Sequence, residues 1–140
     1  TMLDLTSYER ALAQLDESLE FCVGDLAKQH DAVFRQFRAA AIQAFEYTFE
    51  MSVKMLRRQL EDMDSAASID ELGYRDLLRL GAERGLVDNP EAWFDYRESR
   101  NISSHTYDEE KAERIYSILP EFKEHAMFLL RQLQKRNPCI

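Results

Sequence analysis

The residues most able to do chemistry lie in one short segment, Trp93-Phe94-Asp95-Tyr96-Arg97-Glu98-Ser99-Arg100-Asn101-Ile102-Ser103-Ser104-His105-Thr106-Tyr107. Arg100, Asn101, His105 and Tyr107 crowd the predicted end of one helix and the turn into the next. A guanidinium can hold a phosphate bidentately and stabilise negative charge developing on it. An imidazole titrates near neutrality and can move a proton at a 2′-hydroxyl or a leaving oxygen. An asparagine can orient either group, so an RNA phosphodiester fits this set. Asn101 and His105 are four residues apart, which places them on one face of a continuous helix, and Arg97 extends that row by a turn. Arg100 lies about 140° around from His105 on an ideal helix. The two converge only if the helix ends there or if a second copy of the chain supplies one of them. The same residues also have a purely structural assignment. In it Arg100 pairs with a helix-end carboxylate, Asn101 caps and His105 packs at the turn. Spacing alone favours the structural assignment, since an Arg-x4-His by itself is common by chance.

Other chemistries find no footing. There is no Gly-rich phosphate loop and no G-x-S-x-G elbow. A di-iron site in a helical bundle needs Glu-x-x-His pairs on two helices, and the sequence contains none. Glu46 and Glu50 share a helix face and read as a solvated stripe. His30 falls at a helix junction and His125 lies beside Glu121 and Glu124; both read as surface histidines. Cys22 and Cys139 are far apart, with no metal-ligand or disulfide pattern, so no metal or other cofactor is expected.

The elements that must position the segment are helical. Four Gly and three Pro in 140 residues leave little for the turns of an all-β fold. Tyr8, Leu12, Leu15, Leu19, Cys22 and Leu26 recur at alternating spacings of four and three, a bundle seam, after a predicted Thr6–Glu9 capping box. A second helix is predicted from about Asp31 to about Asp62, with one apolar stripe through Phe34, Phe37, Ala41, Ala44, Thr48, Met51 and Met55 and another through Ile42, Phe45, Phe49, Leu56 and Leu60. So wide an arc must be covered on more than one side, by other helices or by a second copy of the chain. Ser68 and Glu71 read as a capping box before a short helix to about Arg84, interruptible near Gly73, with Gly85 as its C-terminal cap. Asn89-Pro90 starts a fourth helix, running to about Ser104. The last starts near Thr106 or Asp108, where Thr106 and Glu109 read as a third box, and Pro120 is expected to kink or split it. The tail from Asn137 is expected to fray. The whole is an all-α, up-and-down antiparallel bundle of four to five helices, expected as a single domain over 1–140.

Twenty-six acidic residues against 18 basic ones give a formal charge of −8. Phosphate binding is driven by basic charge, so this is no coater of duplex DNA, although one local basic site can still hold RNA or a nucleotide. No stretch approaches the length of a membrane span, and the chain start TMLDLTSYER lacks a basic segment followed by an apolar one. A cytoplasmic location is the expectation.

At RNISSHTY the sequence resembles the R-N-x-x-x-H-x-Y signature of HEPN domains. More closely, AFEYTFEMSVKMLRRQL and then GLVDNPEAWFDYRESRNISSHTYDEEKAERIY are similar to the nucleotidyltransferase substrate-binding family, small helical partners of minimal nucleotidyltransferases. The likeness runs in order along nearly the whole chain. It implies a HEPN-like bundle that dimerises, with the Arg and His of two protomers facing a shared cleft. It implies a separately encoded nucleotidyltransferase as partner, in a toxin–antitoxin-like pair. Two roles follow. The chain is either a substrate-binding subunit that holds nucleotide or RNA, or a metal-independent endoribonuclease toxin. Arg100 and His105 match the family's catalytic positions, with Asn101 as the polar neighbour, and Tyr107 matches the tyrosine that receives AMP in some such pairs. Asn101 is expected to bind substrate, as is Arg97, which its spacing places in the same row.

Overall fold

The structure, a computed structural model, describes residues 2–138. Among them are seven α-helices and no strand: α1 (Thr6–Cys22), α2 (Asp25–Gln29), α3 (Asp31–Met63), α4 (Ala66–Asp70), α5 (Tyr74–Glu83), α6 (Pro90–Ile102) and α7 (Glu109–Arg136), with a 3₁₀ turn at Ser103–His105 before α7. Direction follows from the contacts. Tyr8 meets Ser52 while Phe21 meets Phe37, so α1 and α3 run antiparallel. Trp93 meets Phe49 while Arg100 meets Glu46, so α6 also opposes α3. Phe45 meets Phe122 and Gln59 meets Asn137, so α3 and α7 run the same way. In chain order α1, α3, α6 and α7 alternate, which is the expected up-and-down bundle. α5 lies beside it.

Most of the wide apolar arc of α3 is covered within one chain, and Phe34, Phe37 and Met51 are only partly buried. Ala41, Ile42, Ala44, Phe45, Thr48, Phe49, Met55, Leu56 and Leu60 are all buried. α1 lies along one side, and α6 and α7 bring Trp93, Tyr96 and Phe122 to the other, with rings meeting edge to face. Such pairs contribute about 0.5–1.5 kcal/mol beyond their buried area. Trp93 is fully enclosed and its indole Nε1 has no hydrogen-bond partner.

The ends of the elements differ from expectation in detail. None of the three predicted capping boxes forms. Thr6 is already helical, and its N–H is taken by Asp4, whose carboxyl that bond holds below its usual range. Ser65, not Ser68, caps α4, and Asp108, not Thr106, caps α7 by accepting from Glu110 and Lys111. Asn89 caps α6, with Pro90 next, as its sequence requires. α1 stops at Cys22 rather than continuing to Leu26, which lies exposed on the separate α2. Gly73 separates α4 from α5. Gly85, at φ +78°, lets Leu86 N–H reach back to Gly81 at 2.9 Å, a helix end only glycine adopts without strain. α7 runs unbroken through exposed Pro120. Asn137 is not frayed: it accepts from Leu3 N–H and donates to Gln59 and to the Leu133 carbonyl. Cys139 and Ile140 lie outside the described residues, and Cys22 is buried, its thiol pushed up by that burial.

Candidate functional site

α6 delivers the predicted residues to one end of the bundle, and its termination decides how they meet. The α-helix stops at Ile102 and gives way to the 3₁₀ turn. A 3₁₀ turn has about three residues per turn, so Asn101 and His105 do not stay on one face at a spacing of four. Asn101 is exposed, and its side chain makes no hydrogen bond among the described residues. His105 is half-buried. Its Nδ1 lies 3.2 Å from the hydroxyl of Tyr107, and the two rings meet nearly edge to face, 5.8 Å apart. Tyr107 is otherwise free, at 85% exposure.

Arg100 has partners of its own. Nη1 donates to Glu46 Oε2 at 2.9 Å; Nη2 and Nε donate to Glu50 Oε1 at 2.6 and 3.1 Å. Ser103 Oγ donates to Glu46 at 2.6 Å and accepts from Arg100 Nη1 at 3.2 Å. Thus Glu46 and Glu50 are not a solvated stripe but the clamp on Arg100. No hydrogen bond links Arg100 to His105. The structural assignment of Arg100 holds in part: it is paired internally, though with mid-helix carboxylates of α3. Arg97 is exposed and takes no part in these hydrogen bonds; its guanidinium lies 4.7 Å over the ring of Tyr74.

Beside Tyr107 lies a second charged contact. Arg38, almost wholly buried, donates to both oxygens of Glu109 at 2.8 and 2.7 Å. That guanidinium holds the Glu109 carboxyl below its usual range. One turn before Arg100 on α6 stands Tyr96, and His125 is not a free surface residue: its Nδ1 sits within hydrogen-bond distance of the Tyr96 hydroxyl, and burial raises that phenol. Among the described residues no three His, Cys, Asp or Glu side chains gather closely enough to hold a metal ion, and no helix is long and apolar enough to cross a membrane.

A family model described as nucleotidyltransferase substrate binding protein like matches residues 3–135. The chain belongs to that family. It is 44% identical over 100 residues to a Haemophilus influenzae protein named probable ribonuclease HepT, covering 71% of this chain and 68% of that one. A solved Haemophilus influenzae structure described as the fold of a substrate binding domain of a nucleotidyltransferase superposes with a TM-score of 0.87, at 34% identity over 94% of this chain and 99% of that one. A crystal structure from Thermus thermophilus superposes with a TM-score of 0.68 at 27% identity, over 91% and 98% of the two chains. Within this substrate-binding family member, Glu46, Glu50 and Ser103 are the site residues that sequence reasoning missed. The only local signal was the four-residue spacing of two carboxylates, which solvent faces share.

Proposed function

We infer that the chain is the HEPN-type partner subunit of a minimal nucleotidyltransferase, in a toxin–antitoxin-like pair, and binds nucleotide or RNA at the Arg100–His105 end of the bundle. The observation that carries this is the state of the two groups. Arg100 is a half-exposed guanidinium held by three acceptor side chains that a phosphate can replace. His105 has its Nδ1 engaged by Tyr107 and its Nε2 without a partner among the described residues. A phosphate oxygen can accept from both. Asn101 stands beside them with its amide free, and a dimer brings a second set to the same cleft.

A second reading, favoured by the 44% relative named as a probable ribonuclease, gives the same residues turnover. His105 Nε2 then moves the proton at the 2′-hydroxyl or the leaving oxygen. Arg100 leaves Glu46 and Glu50 to neutralise the phosphorane. The exposed Tyr107 hydroxyl is open to adenylylation: its oxygen gives up its proton to His105 Nδ1 and bonds the α-phosphorus of ATP, and pyrophosphate leaves. The AMP ester replaces the O–H at His105 Nδ1, which is how the transferase silences cleavage.

Arg100→Ala and His105→Ala are expected to stay helical and to bind nucleotide or RNA at least roughly tenfold more weakly. Unchanged binding overturns the site. RNA incubated without added metal separates the readings: cleavage by wild type that vanishes in His105→Ala is the ribonuclease, while a folded, unmodified wild type that binds RNA intact is the binding subunit. A monomeric mass by light scattering, alone and with the transferase, removes the shared cleft.

A further inference from the structure

We propose that the cleft between α3, α5 and α6 is a second subsite, which takes the neighbouring phosphate and base of a single-stranded RNA whose first phosphate lies at Arg100. The proposal rests on the RNA reading of the Arg100–His105 end and extends it to residues of α3 and α5. The cleft holds about 450 Å³, with Arg57, Tyr74 and Arg97 around it and Val53 and Leu72 as an apolar wall. Arg97 lies over the Tyr74 ring and has no carboxylate partner among the described residues. A guanidinium stacked in this way keeps its N–H edge available to a phosphate. Arg57 has only a long contact, 3.5 Å to the Ile69 carbonyl. The Tyr74 ring is fixed, because its hydroxyl donates to the Trp93 carbonyl at 2.7 Å.

The surroundings continue the pattern. Phe94 lies 6.5 Å from Tyr74, centroid to centroid, and carries Arg75 at 4.6 Å and Arg79 at 5.3 Å over its own ring. Arg79 also has a 3.5 Å pair with Asp76. Three helices thus gather four guanidiniums and two rings on one face of a chain with net charge −8, although the linear sequence shows no dense basic patch. Phe94 is buried beneath its two guanidiniums, so the plane open to a base is the exposed Arg97 guanidinium over Tyr74. Unpaired RNA bases stack on arginine planes as well as on rings. An acidic peptide would use the charges but leave the stacking plane idle. The one carboxylate in the cleft's lining, Glu50, faces two guanidiniums of the same lining, Arg57 and Arg97. Arg97 and Arg100 are neighbours three apart on α6, so one strand can reach both.

The test is fluorescence anisotropy with a 2′-O-methyl hexanucleotide, which cannot be cleaved, beside a 2′-O-methyl dinucleotide. Circular dichroism checks the fold of each variant; Arg97 is exposed and its loss leaves the core intact. Arg97→Ala and Arg57→Ala are each expected to weaken the hexanucleotide by roughly five- to tenfold and the dinucleotide by less than about twofold. Arg97→Ala is expected to flatten the logarithmic salt slope by about 0.7, one phosphate of a single strand. Arg97→Lys keeps that slope and loses part of the affinity, since lysine keeps the charge without the stacked fork. Hexanucleotide binding unchanged in both alanine variants but lost in Arg100→Ala overturns the subsite and leaves the first site standing. Failure of wild type to bind either oligonucleotide overturns both. Binding of hexaglutamate in place of RNA, lost in Arg97→Ala, overturns the subsite as an RNA site and assigns it to an acidic protein segment.

Discussion

Two polar clusters tie α3 to its neighbours, and they are built on different terms. At the middle of the bundle Tyr8 of α1, fully buried, donates to the Ala126 carbonyl of α7 at 2.9 Å; Ser52 lies 2.9 Å from the same hydroxyl, and Thr48 donates to the Ala11 carbonyl. Every member is neutral, enclosed and satisfied. At the end of the bundle Arg100, Glu46, Glu50 and Ser103 are charged and half-open to water. A neutral network sealed from solvent has no better partner to exchange for, so it specifies one arrangement. A charged network at the surface is held by interactions that water and salt already weaken, so an incoming phosphate can take them over. The first cluster is for folding and the second for exchange.

The sharpest way to break this contrast is at Tyr8. Tyr8→Ala is expected to cost about 3–5 kcal/mol, through the cavity and the lost contacts. Tyr8→Phe is expected to cost about 1 kcal/mol, through the hydroxyl alone. Urea or thermal melts measure both, and a Tyr8→Ala protein as stable as wild type ends the contrast. Arg100→Ala sits at the other pole. Its pairs are partly solvated, so a loss of only about 0–1 kcal/mol is expected in the same melts, against a large loss of ligand binding. A loss comparable to that of Tyr8→Ala would make Arg100 a structural post. The smallest effect is expected at Glu109, whose pair is half buried and half exposed. Its carboxyl is held below the usual range by Arg38, so its contribution is full above the ordinary carboxylate range. That contribution falls away as pH drops through the lowered value. The melting-temperature gap between wild type and Glu109→Gln should therefore narrow on going from neutral pH to about pH 3; a constant gap contradicts the linkage.

Local pattern carried most of the fold. The two stripes of α3 fixed its span to within a residue, and Asn89-Pro90 fixed the start of α6. Where the reading failed, two local signals competed. The apolar spacing of α1 continues through Leu26, but Gly24 breaks the helix first. The three Ser/Thr–Glu pairs had capping-box spacing, yet a cap needs non-helical backbone at its own position, and another residue had claimed that place each time. The site was legible in membership and not in wiring. Arg100, His105 and Tyr107 stand out as a motif within eight residues. Glu46 and Glu50 lie 54 and 50 residues away, and no periodicity says which face of α3 meets which turn of α6. Arg57 and Tyr74 were hidden for the same reason.

Trp93 is the chain's one tryptophan, and its indole sits against Phe49, Tyr96 and Phe122 with Nε1 unbonded. It is also directly wired to the cleft, since its carbonyl holds the Tyr74 hydroxyl. The molecule therefore carries its own optical gauge. Selective excitation reports a single site, at the junction of α3, α6 and α7, with emission characteristic of a dry surrounding. Any ligand or partner that shifts α6 against α3 writes itself into that spectrum, without a label and without disturbing a residue of the site.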